Sequence, residues 1–477
     1  MRPGLLVHAA RAARGRQLRA RALRPLRRRR FPQSQPPPLD PPGGAASFWR
    51  SPAFEPVALA GEGGERLRAF HAQYGDDVLA AARGGDSATV RAGIESWIAR
   101  NSPRPGDAWH PYPVSTRVGN WIAALALEPD AATSEIASSL WRQLLHLGRN
   151  VEDDVLGNHV IRNARALVLG GAAFGSSALT DRGLSLLARE LPEQILPDGG
   201  HYERSPVYHL VVLRDLLEVE AVLPGSVPAR VLDGMSAFAT ALARPDGAPA
   251  LFNDGSVDLA PRLGLPLAGD GLAVFPETGY AVVRRDGIWL AFDCGAPAPP
   301  FLPAHAHADA LSFQLWADGR PLVVDPGMPT YEPGAERDWY RGTRAHSTVA
   351  VDGDQFEVWG AFRSGPLPRV ELLGASEREL AASVVGKTGV RHTRRIAIER
   401  DAVVVSDTLE GPGRHSVESS LPLPPGAEVA ARPERGRLVH EDRFVAERLY
   451  ERVPATALVV REEPVLPVRT GWTIPVR

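Results

Sequence analysis

Apolar residues recur at helical spacing through the first half of the chain and change to strand-like alternation in the second. Between about Arg66 and Ala243 the helical repeat appears in Leu140, Leu144, Leu145 and Leu147, in Val160, Ile161, Ala164, Leu167 and Val168, and in Val211, Val212, Leu216, Leu217 and Val219. Breaks such as Gly170-Gly171 and Leu196-Pro-Asp-Gly-Gly200 divide this stretch into seven or eight helices. A succession of similar helices without strands buries its apolar faces as a bundle, a solenoid or a toroid. After Pro266 the period changes. Tyr280-Ala-Val-Val-Arg-Arg-Asp-Gly-Ile-Trp-Leu-Ala-Phe292 reads as two strands joined by an Asp-Gly turn, and the stretch from Leu311 to Asp325 repeats the arrangement. Further β-branched segments at 348–351, 384–385, 396–398, 403–405 and 457–460 make this half antiparallel β, most simply a sandwich. The expected fold is therefore α+β with two domains. Residues 1–45 form a basic helix and Pro-rich linker, 46–265 a helical domain and 266–477 an antiparallel β domain, with a cleft between the last two.

Composition narrows the classes of function. A chain of 477 residues, 44% hydrophobic and 23% charged, is globular, which excludes disorder, collagen and coiled coil. The formal charge of −2 hides an asymmetry, because eleven arginines fall between Arg2 and Arg30 and the remainder holds 43 basic against 56 acidic residues. So acidic a body is no nucleic-acid binder, and an anionic ligand must meet a local basic pocket. The Arg-rich segment reads as a helix that lies on an anionic membrane surface or grips acidic polymer, or as a solvated arm. Cys294, the single cysteine, excludes an intrachain disulfide and multi-thiolate zinc sites. No apolar run approaches the ~20 residues that span a bilayer. Residues 1–30 hold no uninterrupted apolar core of a secretory signal, which favours the cytoplasm.

The densest chemistry is Pro303-Ala-His-Ala-His-Ala-Asp309. In extended chain His305 and His307 point the same way, so a metal takes one or both, or one binds metal beside a free catalytic partner; solvent-facing strand histidines are the plainer alternative. Asp325, at the end of a hairpin, and His346, in Arg344-Ala-His-Ser-Thr-Val, complete two His and one Asp for a zinc-like ion. In the helical half, Gly157-Asn-His159 opens one helix and the segment from Asp198 to His209 opens another; such helix starts suit an anion. Asn158 and Ser205 also fit as simple caps, and Tyr208 as core.

Together these segments, with Val324-Asp-Pro-Gly327 and Trp339-Tyr-Arg-Gly-Thr-Arg-Ala-His-Ser-Thr-Val-Ala-Val-Asp-Gly353, resemble the heparinase II/III family of polysaccharide lyases from about Trp109 to Arg369. The resemblance implies an N-terminal (α/α) toroid of helical hairpins, an antiparallel β-sandwich and β-elimination from a uronic-acid-containing glycan. It implies that Asn158 and His159 neutralise the uronate carboxylate, that Tyr208 is acid or base, and that His305 is the base for the other C5 epimer. Tyr202 competes with Tyr208, and Tyr340 is a further acid or substrate contact. One divalent metal, zinc, on His307, Asp325 and His346 is structural rather than catalytic. An anionic polysaccharide partner fits the local arginines, among them Arg204, Arg341 and Arg344, and Trp109 is a candidate for stacking on sugar. The family favours the periplasm or cell envelope. Oligomeric state is left open.

Two enzymatic rivals fit less well. A metallo-β-lactamase motif wants another His where Ala310 stands, and an amidohydrolase needs a parallel barrel where these strands are hairpin-linked. From another class, a non-catalytic carbohydrate-binding or polysaccharide-assembly protein on a lyase fold is the alternative.

Overall fold

The computed structural model describes residues 35–55, 57, 59 and 64–477; the expected Arg-rich helix lies outside the described residues. Nine α-helices run from Glu65 to Leu242 rather than seven or eight. The extra element arises because Gly75, in a left-handed conformation, splits Glu65–His71 from Asp76–Arg83. Alternate helices form an inner layer: Asp76–Arg83 packs on Pro111–Leu127, which packs on Asn158–Ala173, which packs on Pro206–Val222. The intervening helices Ser87–Arg100, Ser134–Arg149 and Ser177–Gln194 lie outside them, each antiparallel partner contributing an apolar stripe. Pro111–Leu127 and Asn158–Ala173 are buried almost all round, so the polar side chains of the second bond buried carboxylates on Pro206–Val222: Arg162 Nε donates to Asp215 at 2.6 Å, and Arg165 bonds Glu218.

From Gly271 onward the chain is antiparallel β. Gly271–Phe275, Tyr280–Arg285, Ile288–Asp293, Phe313–Ala317 and Arg320–Val323 form a five-stranded meander. Its Asp286-Gly287 and Asp318-Gly319 corners take the two positive φ angles that such tight hairpins require. A six-stranded and a four-stranded sheet follow, and a single apolar core holds side chains from all three, including Leu290, Phe313, Val405, Trp472 and Leu458. A second core ties the two halves together: Phe238, Leu242 and Phe252 from the helical side meet Tyr280, Trp289 and Trp316. The linking segment between Leu242 and Gly271 therefore lies against the β half, and it carries Asn253 and Asp254 into the cleft. No described helix is long and apolar enough to cross a membrane.

Candidate active site

Asn253 sits in the left-handed region, φ 58°, a conformation that asparagine tolerates better than most residues. Its side chain makes the strain worthwhile, donating to the carbonyls of Arg204 and Pro297 and accepting from the His307 N–H at 2.8 Å. The next residue, Asp254, is fully buried and accepts from four donors. His305 Nδ1 lies at 3.0 Å, His307 Nε2 at 3.0 Å, and Arg337 Nη1 and Nη2 at 2.9 and 2.7 Å. Burial alone would raise the Asp254 carboxyl; the Arg337 guanidinium and both imidazoles outweigh it and hold the group well below the usual carboxylate range.

From the helical side, Tyr208 stacks on His305 with ring centroids 4.0 Å apart, and its hydroxyl donates to Tyr331 Oη at 3.2 Å. Burial, then Tyr331, pushes the Tyr208 phenol well above its ordinary value, so it carries its proton. The helix that presents Tyr208 is capped by Ser205, whose Oγ accepts from the Tyr208 N–H and donates to the Asp254 carbonyl at 2.5 Å. The second wall is Asn158-His159 at the start of its helix. Gly157, φ 59°, has no Cβ to collide with Glu203, whose carboxylate accepts from the Asn158 N–H at 3.2 Å and faces His305 Nε2 at 3.4 Å. His159 Nδ1 meets Glu152 at 3.1 Å, and its ring lies 4.5 Å from that of Tyr112. Burial opposes ionisation of Glu152, but His159 and His110 hold its carboxyl below the usual range.

Beneath His305, ligand atoms of His307, Asp309 and His346 all lie within 4.8 Å of one another, buried. Asp254 occupies His307 Nε2 and Asn253 N–H reaches Asp309 Oδ2 at 3.4 Å, leaving His307 Nδ1 and Asp309 Oδ1 buried with no hydrogen-bond partner. His346 Nε2 donates to the Tyr340 carbonyl at 3.0 Å, so Nδ1 faces Asp325 Oδ2 at 2.8 Å, a contact that needs a proton or a cation between two acceptors. Asp293 lies nearby, its carboxyl driven well up by burial and by Asp309. Orphaned ligand atoms, an imidazole held from behind by carboxylate and surplus negative charge fit a divalent cation. Both aspartates are at hand: Asp309 completes the tight triad, and Asp325 stands on His346.

Residues 76–258 match the Heparinase II/III N-terminus model and residues 268–472 the Heparinase II/III-like, C-terminal model. The chain belongs to the heparinase II/III-like family. It is 28% identical over 362 residues to FtsZ-localized protein C of Caulobacter vibrioides, covering 69% of this chain and 60% of that one. It is 22% identical over 374 residues to a heparin-sulfate lyase of Bacteroides stercoris, covering 68% and 54%. The chain thus spans little more than half the length of these relatives. The solved structure of heparinase III superposes with a TM-score of 0.71 at 17% identity over 99% of this chain and 92% of that one, which shows the shared helical-plus-sandwich fold.

Within this family fold, Tyr208 stacks on His305, Glu203 joins Asn158 to His305, His159 stands next to Asn158 on Glu152, and His346 shares a buried cluster with His307 and Asp309 while Asp325 stands on His346. Tyr202 is structural: its hydroxyl accepts from the Gly157 N–H at 2.9 Å, in the wall behind Asn158. Other expectations need correction. Tyr340 turns its phenol away toward the Phe444 carbonyl, 3.5 Å off, and only its backbone touches the site; Tyr331 takes the place beside Tyr208. Trp109 is core, packed against Trp97 and His146. Arg341 is fully buried and donates to the carbonyls of Ala306 and Gly360, and Arg204 straps the carbonyls of Ala296 and Glu277. Arg344 reaches outward to Glu418 at 3.6 Å. These three arginines are spent on the protein itself. Sequence reasoning missed Asp254, Glu203, Glu152 and Tyr331 and took Arg337 only as one of the local arginines that suit an anionic sugar chain, whereas it binds Asp254; the one available signal was the polar Asn253-Asp-Gly-Ser256 turn after the apolar Ala250-Leu-Phe252.

Proposed function

We propose that this protein is a polysaccharide lyase that cleaves a uronic-acid-containing glycan by β-elimination. The stacked Tyr208–His305 pair at the seam of the two halves, with His305 Nδ1 bound to Asp254, carries the reading. With Nδ1–H donated to Asp254, His305 offers Nε2 as the base. It takes the C5 proton; the C5–H electron pair forms the C4–C5 double bond; the C4–O4 bond breaks; and O4 takes the proton that burial holds on the Tyr208 phenol. Transfer from the His305 imidazolium to the adjacent Tyr208 phenolate restores the site. Asn158 and His159, at a helix N-terminus, would hold the uronate carboxylate and make C5–H more acidic. His307, Asp309 or Asp325, and His346 would hold a divalent cation that supplies rigidity behind His305.

Relatives named heparin-sulfate lyases support an anionic polysaccharide as substrate, and the family resemblance supports a glycan of the cell envelope as its source. The test is ultraviolet absorbance of purified, zinc-loaded protein with heparan sulfate, chondroitin sulfate, alginate and envelope polysaccharide. A rise signals the conjugated unsaturated uronate that elimination leaves and hydrolysis does not. No rise on any of them would favour the second reading, a non-catalytic carbohydrate-binding or polysaccharide-assembly protein, supported by a relative whose printed name records a location and no reaction.

A further inference from the structure

We infer that Asp254 is a positioning residue that couples the cation site to the Tyr208–His305 pair, a role that rests on the elimination proposed above for its catalytic half. An ionised carboxylate has about four lone-pair positions, and each here has one donor. Oδ1 takes His307 Nε2–H and Arg337 Nη1–H, while Oδ2 takes His305 Nδ1–H and Arg337 Nη2–H. With every position filled, Asp254, His307 and Arg337 buried and His305 only partly exposed, the carboxylate cannot turn without losing a bond inside the protein.

That arrangement fixes two tautomers at once. Donating from Nδ1 directs His305 Nε2 toward the Glu203 carboxylate, 3.4 Å away, with the Tyr208 ring stacked over the face of the imidazole. Donating from Nε2 leaves the lone pair on His307 Nδ1, a buried atom with no hydrogen-bond partner, as that ring's free ligand in the cluster it forms with Asp309 and His346. The backbone of the same residue extends the clamp. Asp254 N–H donates to the His305 carbonyl at 3.0 Å, and its own carbonyl receives the Ser205 hydroxyl that caps the Tyr208 helix. Asn253 supplies the flanking contacts to His307 N–H and Asp309. A cation that pulls on His307 therefore pulls on the carboxylate that aims His305.

The test is Asp254→Asn in the full chain. The amide keeps the shape but offers one acceptor oxygen and an NH2 that repels imidazole N–H donors, so it cannot serve both rings and Arg337. Zinc affinity, read by competition with a chromophoric chelator on Zn2+ alone, is expected to fall about ten- to hundredfold, as for outer-shell carboxylates generally. Turnover number should fall by a similar order while KM stays within about threefold. A merely structural role would instead move KM and melting temperature and spare zinc; that result, or zinc affinity and kcat both within about threefold of wild type, overturns the inference. Should Asp254→Asn fail to fold, Asp254→Glu keeps the charge against Arg337 and displaces it. Zinc affinity and kcat should then fall together, and loss of one without the other overturns the coupling. If the wild-type chain takes up zinc but eliminates on no polymer, the lyase reading fails separately, and the zinc measurement still decides the clamp: unchanged affinity overturns it and a fall supports it. A wild-type chain that takes up no zinc overturns it as well.

Discussion

The β half brings three of its site groups, His305, His307 and Asp309, from five consecutive residues, whereas the helical half assembles Glu152, Asn158-His159, Glu203 and Tyr208 from loops and helix starts spread over more than fifty. Between them stands the Asn253-Asp254 turn, which follows the last of the helices before the strands in sequence and serves the β half in space. The sequence leads one to expect these histidines on an extended strand, but the structure places them in a turn-rich loop just before Phe313–Ala317, so what the difference teaches is that close spacing in sequence keeps the groups together whatever the course of the loop. A site made from helix starts depends instead on how inner helices pack, and so on the buried pairs Arg162–Asp215 and Arg165–Glu218 that set their spacing.

The largest effect that would sharpen this contrast is at the seam. Tyr208→Phe should lower kcat by about 10²- to 10⁴-fold with the fold intact, as loss of a positioned acid does, whereas Tyr340→Phe should stay within about twofold. Equal losses from both would restore Tyr340 to the chemistry. On the β side, His307→Ala should weaken zinc binding by about 10³-fold, near 4 kcal/mol, and lower the melting temperature of the zinc-loaded protein. Comparing Asp309→Ala with Asp325→Ala by the same chelator assay then tells the direct ligand from the residue that braces His346. In the helical half, Trp109→Ala should cost about 3 kcal/mol in denaturant unfolding without changing KM. A raised KM at unchanged stability would return Trp109 to the substrate.

Acid should separate the halves more gently. Burial lowers His146 and His209 to about 4, and His209 stays neutral between the His201 N–H and the Met235 carbonyl. The unfolded chain binds these protons first, so the helical half should lose stability as pH falls from about 6.5 to 4. In the β half, burial of Asp407 is outweighed by Arg394 and His392, which hold its carboxyl below the usual range. Its contribution is present above the unfolded pKa near 4 and is lost only below that. Circular dichroism should show the helical signal melting at lower temperature at pH 5 than at pH 7; an unchanged helical melting temperature would overturn the assignment to His146 and His209. Smallest of all, Arg344→Ala should shift stability by no more than about 0.5 kcal/mol, since the side chain is half exposed and its partner Glu418 keeps Arg443 and Arg461.

The sequence by itself determined the order of helices and strands, the hairpins at Asp286-Gly287 and Asp318-Gly319, and the His305-Ala-His-Ala-Asp309 motif, because each is written in short-range periodicity or turn chemistry. Val324-Asp-Pro-Gly327 and Ala345-His-Ser-Thr348 were likewise legible as motifs, although the meeting of Asp325 with His346 was implied by resemblance rather than by spacing. Only the tertiary structure decided which charged and aromatic residues face the cleft. Arg341 and Arg344 share a segment with Arg337, yet Arg337 alone meets Asp254, 83 residues away. His305 finds the same carboxylate across 51 residues, and Tyr208 finds Tyr331 across 123. No local pattern encodes such pairings. They follow from burial, which leaves each guanidinium, imidazole and phenol to bond whatever partner the packing brings within reach.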